Sequence, residues 1–196
     1  MKSRNLLFPL FLLLMSMTCC DKGGNTSIMR QLYGIDSMLT VARQFEAAQL
    51  RLDSLNPDRF NQAERAYYSL LLTQSHYKNY IDDTTDDVIN VAVDYYKNHG
   101  DREKRTRSLL YQGCVYEVMG HPEKAIASYK EAENVAEDGD LENKAYAKLR
   151  LAVLVTDTAM CYRLQSEIAK MEKDWGKYVS YYEKANELAD SILVGS

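Results

Sequence analysis

The sequence predicts an all-α chain built from stacked helical hairpins, and three observations carry that expectation. Helix start and stop signals recur about every 15 to 20 residues along most of the chain. Between them apolar residues fall three and four apart, and no run alternates with the period of two that a strand needs. Stretches of the chain also overlay one another at spacings of about 42 and 39 residues, the length of a helix–turn–helix unit.

The first segment stands outside that pattern. Lys2 and Arg4 precede an apolar run from Leu6 to Met17, which Cys19 and Cys20 close. A charged start, a short apolar stretch and a cut site make an export signal. The run is well short of the roughly 20 apolar residues that cross a bilayer as a helix. Met17-Thr18-Cys19-Cys20 resembles the lipobox of bacterial lipoproteins, with an apolar residue three before Cys20 and a small one just before it. That resemblance implies removal of residues 1–19 and acylation of Cys20, with Cys19 as the alternative. Two or more acyl chains hold a protein durably on a membrane, since each buried methylene contributes about 0.8 kcal/mol. Gly23 and Gly24 lie in a polar stretch, so residues 20–27 read as a flexible tether. The expected location is the bacterial cell envelope, lipid-anchored at the outer membrane.

Residues 28–196 suffice for one repeat domain, divided near 28–55, 62–98, 102–137 and 141–193. Phe45 to Leu52 is a weak helical copy. Asn61 followed by Glu64 is a capping-box pattern and opens a helix that carries Tyr67, Leu70, Leu71 and Tyr77 to about Tyr80. Thr84 to Asp87 opens the next, and Asn98-His99-Gly100 ends it, because glycine accepts the left-handed conformation past a helix end. Asp101 begins a helix that runs through Leu109 and Leu110 to Met119 and stops at Gly120. Pro122 starts another, since a proline in the first turn gives up no hydrogen bond. Three more helices are expected: Leu141 to about Val155, Thr158 to about Glu172, and Trp175 to about Leu193.

Thr106 to Glu137 resembles a tetratricopeptide repeat. Gly113, Tyr116, Gly120, Ala125, Tyr129 and Ala132 fall on that family's small and aromatic positions, while Leu109 and Glu137 depart from its Trp and Pro. The resemblance implies a right-handed α-solenoid whose first helices line a concave face that binds a protein or peptide. Carried over position by position, it points to Arg107, Leu110, Cys114 and Glu117. At the spacing of 42 the preceding unit supplies Arg65, Tyr68, Leu72 and Ser75.

Composition narrows the function. The chain has 24 basic and 28 acidic side chains, and loss of Lys2 and Arg4 would leave 22 against 28, the wrong balance for nucleic acid. His76, His99 and His121 stand far apart, Cys114 and Cys161 read as small buried apolar residues, and Asp82, Asp83, Asp86 and Asp87 suit a helix start. No catalytic residue, cofactor or metal ligand is expected. The reading is a membrane-tethered scaffold or adaptor, held on the membrane through its N-terminal lipid. The alternatives are a glycan- or small-molecule-binding lipoprotein, or the sensory part of a repeat-containing regulatory system.

Overall fold

The computed structural model describes residues 27–171 and 173–193, so Cys19, Cys20 and the tether before Ser27 lie outside it. Among the described residues there are eight α-helices and no strand: α1 (Ser27–Ser37), α2 (Phe45–Asp53), α3 (Gln62–Lys78), α4 (Asp87–Asn98), α5 (Arg102–Val118), α6 (Pro122–Val135), α7 (Leu141–Met171) and α8 (Trp175–Leu193). The protein is all-α. A π-helical turn over Met38–Ala42 follows α1, and a 3-10 turn over Pro57–Arg59 precedes α3.

Helix starts follow the side chains. Asn61 and Glu64 cap α3 reciprocally, at 2.9 and 3.0 Å. Asp101 accepts from the Lys104 amide at 3.0 Å and opens α5. Asp140 accepts from the Asn143 side chain at 2.9 Å and opens α7. These three caps stand 40 and 39 residues apart, a more regular repeat than the 42 and 39 read from residue overlay.

Helix ends divide into two kinds. Gly100 and Gly120 take φ of +78° and +72°, as expected at a C-terminal turn. Tyr80 takes the same left-handed conformation at φ +59° without glycine's freedom. Its amide reaches Tyr77 O at 3.3 Å and the Ile81 amide reaches His76 O at 2.9 Å, the two bonds that also close α5 around Gly120. The Tyr80 ring is 95% exposed and contributes little packing. Tyr80→Gly is therefore expected to stabilise the fold by about 1 kcal/mol, a rise of about 2–4 °C in the thermal midpoint of a chain this size. An unchanged or lower midpoint would show that the ring makes contacts that offset its backbone cost.

The helices form two layers. α1, α3, α5 and α7 touch in succession, and each of α2, α4, α6 and α8 lies against its odd-numbered neighbours. Leu32, Ile35, Leu52, Tyr67, Leu70, Leu71, Ile89, Leu110 and Tyr129 fill the interior between them. Polar bonds cross the same seams: Gln112 donates to Asn90 at 2.8 Å, and Tyr116 donates to Asp86 at 2.9 Å.

One expected break is absent. Leu141 to Met171 is one helix of 31 residues rather than two. The expected break between Val155 and Thr158 falls inside the helix, where the Thr156 hydroxyl bonds back to Ala152 O at 2.8 Å. Neither glycine nor proline interrupts the stretch, so the amide ladder has no reason to stop. Cys161 on this helix is exposed, contrary to the expectation that both cysteines are buried; Cys114 is buried.

Candidate functional site

A groove of about 840 Å³ runs along one side of the odd-numbered helices. Asp36, Leu39, Thr40 and Arg43 come from α1 and the π turn; Gln74, Tyr77 and Lys78 from the end of α3; Glu103, Arg107 and Tyr111 from α5; Asp140, Asn143 and Tyr146 from the start of α7. Arg43, Tyr80 and Glu142 are exposed at its edge, and Arg107 and Tyr111 are buried at its base.

The base is a polar network centred on Arg107, whose residue is 4% exposed. Its guanidinium makes a two-pronged pair with Asp36, Nη1 to Oδ2 at 3.0 Å and Nη2 to Oδ1 at 2.7 Å. It also donates to Glu103 at 3.0 Å and to the Gln74 carbonyl oxygen. The Tyr67 hydroxyl donates to the same Asp36 carboxylate in a short hydrogen bond. Desolvation weakens the Arg107 charge, and Asp36 and Glu103 more than compensate, so its pKa lies above the ordinary arginine value. Burial raises Tyr67 well above the usual phenol, with Asp36 adding to the effect.

Burial also pushes the Asp36 carboxyl upward, but the hydrogen bonds and charge of Arg107 outweigh it and hold the group below its ordinary value. The folded state therefore binds this proton less readily than the unfolded chain does. The stabilisation is fully present above the unfolded value of about 3.9 and is lost as pH falls through the lower folded value. Asp36→Asn should flatten the acid side of the stability–pH profile, below about pH 4, in urea unfolding at stepped pH. A slope equal to that of the parent chain would assign the acid sensitivity elsewhere.

Above the base the groove is aromatic and mixed in charge. Tyr146 donates to the Tyr77 hydroxyl at 2.8 Å, and Lys78 stands over both rings, 5.9 and 5.8 Å from their centres. Tyr77 meets Tyr111 edge to face at 5.9 Å. Arg107 is paired with Asp36 and with the exposed Glu103, and Arg43, Lys78, Asp140 and Glu142 are the other charged side chains on the lining.

Of the residues expected to line a concave face, only Arg107 lines this groove. Leu110, Cys114 and Ser75 are buried among the helices, and burial raises the Cys114 thiol. Glu117 is half-buried and accepts from the Tyr129 hydroxyl at 2.5 Å and from Arg150, joining α5, α6 and α7. Tyr68 is half-buried and packs edge to face on Phe60 at 5.5 Å, Leu72 is half-buried, and Arg65 is exposed away from the groove. The cause is register. With caps 40 apart the counterpart of Arg107 on α3 is Tyr67, which shares Asp36 with it, whereas the spacing of 42 chose Arg65. Two residues of slip turn a helix by about 200° and exchange its inner and outer faces.

Asp36, Tyr77, Tyr80 and Tyr146 were not singled out as groove residues by sequence. The one available signal was the regular spacing of Asn61, Asp101 and Asp140. The three histidines serve different neighbours: His76 pairs with Asp83 at 2.7 Å, His99 stacks on Tyr95 at 4.0 Å, and His121 precedes α6. Among the described residues no three His, Cys, Asp or Glu side chains converge as metal ligands would.

No protein-family model, no curated protein and no solved structure matches this chain. Among the described residues no helix is long and apolar enough to cross a membrane.

Proposed function

We propose that the chain is a membrane-tethered interaction module, a right-handed array of tetratricopeptide-like hairpins whose groove receives a protein or peptide segment. The groove along α1, α3, α5 and α7 carries this reading, because its base is held by Arg107 and its edge stays open. A base already ordered by buried hydrogen bonds spares an occupant part of the cost of arranging its site. Two further features support the repeat reading: helix caps at spacings of 40 and 39, and the close approach of Gly113 to Tyr129. The tether reading rests on the lipobox-like Met17-Thr18-Cys19-Cys20.

The groove suits a peptide better than a glycan. Sugar rings need open aromatic faces, but Lys78 stands over Tyr77 and Tyr146, and Tyr111 is buried. Tyr80 alone among these rings is fully open. A photo-crosslinking residue at position 80, in membranes from the native host, should capture one set of protein partners. Arg43→Glu combined with Lys78→Glu should remove that set while leaving the fold intact by circular dichroism. Capture that is unchanged by the double substitution would reject the groove as the binding face.

A further inference from the structure

Two hydrogen-bond donors at the base of the groove are left without a partner in the fold. Tyr111 lines the groove and is 7% exposed, yet its hydroxyl makes no hydrogen bond with any described residue. Burial raises its pKa above the ordinary phenol value, so the group keeps its O–H. Gln74 also lines the groove and is 3% exposed. A guanidinium can only donate, so the Gln74 side-chain oxygen must face Arg107. The amide nitrogen is thereby turned away, and it has no acceptor among the described residues.

The two donors belong to adjacent turns of neighbouring helices. Tyr111 stands about one turn beyond Arg107 on α5, and Tyr77, whose ring it meets edge to face at 5.9 Å, stands about one turn beyond Gln74 on α3. Both side chains are already held, Tyr111 by that ring contact and Gln74 by Arg107, which Asp36 anchors in turn. Buried polar groups are ordinarily satisfied inside a fold. A buried pair that is not satisfied points to a ligand that brings the acceptor.

We propose that Tyr111 and Gln74 read an uncharged carbonyl oxygen of the bound segment, an amide carbonyl of its main chain or of an Asn or Gln side chain. The proposal rests on the groove being the binding face. A carboxylate could accept from the same donors, but Asp36, Glu103, Asp140 and Glu142 outnumber the three basic side chains of the lining. Arg107, the cation nearest the donors, is already paired with Asp36 and Glu103. An amide carbonyl supplies the acceptor and adds no charge. A segment that placed an apolar group there would leave both donors buried and unpaired, and would be rejected for that reason.

The probe is a dodecapeptide selected from a random phage-displayed library on the full chain, labelled and titrated by fluorescence anisotropy. Release of this peptide by Arg43→Glu with Lys78→Glu places it in the groove. Each of its amides is then replaced in turn by an ester, whose carbonyl is a poorer acceptor, and each Asn or Gln by Ala. One replacement should weaken binding about five-fold, the worth of one neutral hydrogen bond. An ester at that position assigns the carbonyl to the main chain, and an Ala assigns it to a side chain. Tyr111→Phe should weaken the parent peptide about as much and lose little more with the sensitive variant, because both remove the same bond. It keeps the ring against Tyr77, so the thermal midpoint should hold or rise. Gln74→Glu keeps the acceptor that Arg107 needs, puts an oxygen where the donor was, and should weaken binding by about ten-fold or more. A groove-bound peptide that Tyr111→Phe binds at full strength would overturn the proposal and leave the groove standing. A sensitive position that is a carboxylate would also overturn it. Selected peptides indifferent to Arg43→Glu with Lys78→Glu would overturn the groove itself.

Discussion

Arg107→Met is expected to lower the unfolding free energy by about 3–5 kcal/mol, the cost of leaving a buried charge without its partner. The substitution removes both prongs of the Asp36 pair, the Glu103 bond and the Gln74 bond at one stroke. Asp36 suffers most, because it would keep only the Tyr67 hydroxyl among these partners while half-buried between α1 and α5. Adding Asp36→Leu should recover much of the loss, since an apolar pair of similar volume often replaces a buried ion pair at little cost. Urea unfolding of both single variants and the double gives the coupling, which for touching residues runs to about 0.5–3 kcal/mol. A loss below about 1 kcal/mol in Arg107→Met would mean that water screens the pair as it does on a surface.

Gly113→Ala should also destabilise the fold, by about 1–3 kcal/mol, the usual range for overfilling a packed interior. A Cβ at this position would stand 2.5, 2.7 and 2.8 Å from Cε1, Cζ and Cδ1 of Tyr129, closer than carbon atoms can sit. The ring cannot easily retreat, because Tyr129 is fully buried and its hydroxyl is bonded to Glu117. The expected sign is opposite to local preference, since alanine favours a helix interior over glycine by about 1 kcal/mol. Tyr129→Leu in the same chain should shrink the penalty, because it removes the ring atoms that clash. The urea midpoint should fall while the slope holds, the mark of a change in stability without a change in compactness. A midpoint that rises would show that α6 shifts away at little cost.

Local chemistry was legible along the chain and distant pairing was not. Asn61 with Glu64, Asp101, Gly120 and Pro122 mark real helix ends, because each acts on backbone groups within a few residues of itself. The helix start expected at Thr158 fails for the same reason: a threonine suits a helix start, and only the uninterrupted ladder around it decides otherwise. Arg107 is expected to line a groove and does, but its burial and its partner Asp36, 71 residues earlier, are not visible from the sequence around it. Periodicity shows that a helix has an inner face but does not say which residues of another helix meet it. Tyr80 escaped notice because a tyrosine carries no turn signal, although it takes the place that glycine holds after α5.

The unbroken span of α7 has a mechanical consequence. At 1.5 Å per residue its 31 residues make a strut about 46 Å long. Near one end Asn143 and Tyr146 face the groove, and at the other Met171 stands at the hairpin tip. Arg150 on Glu117 and Tyr162 on Glu123 pin the middle like the bearings of a lever. A tilt of about 5° about its centre would carry the two ends through about 2 Å in opposite directions.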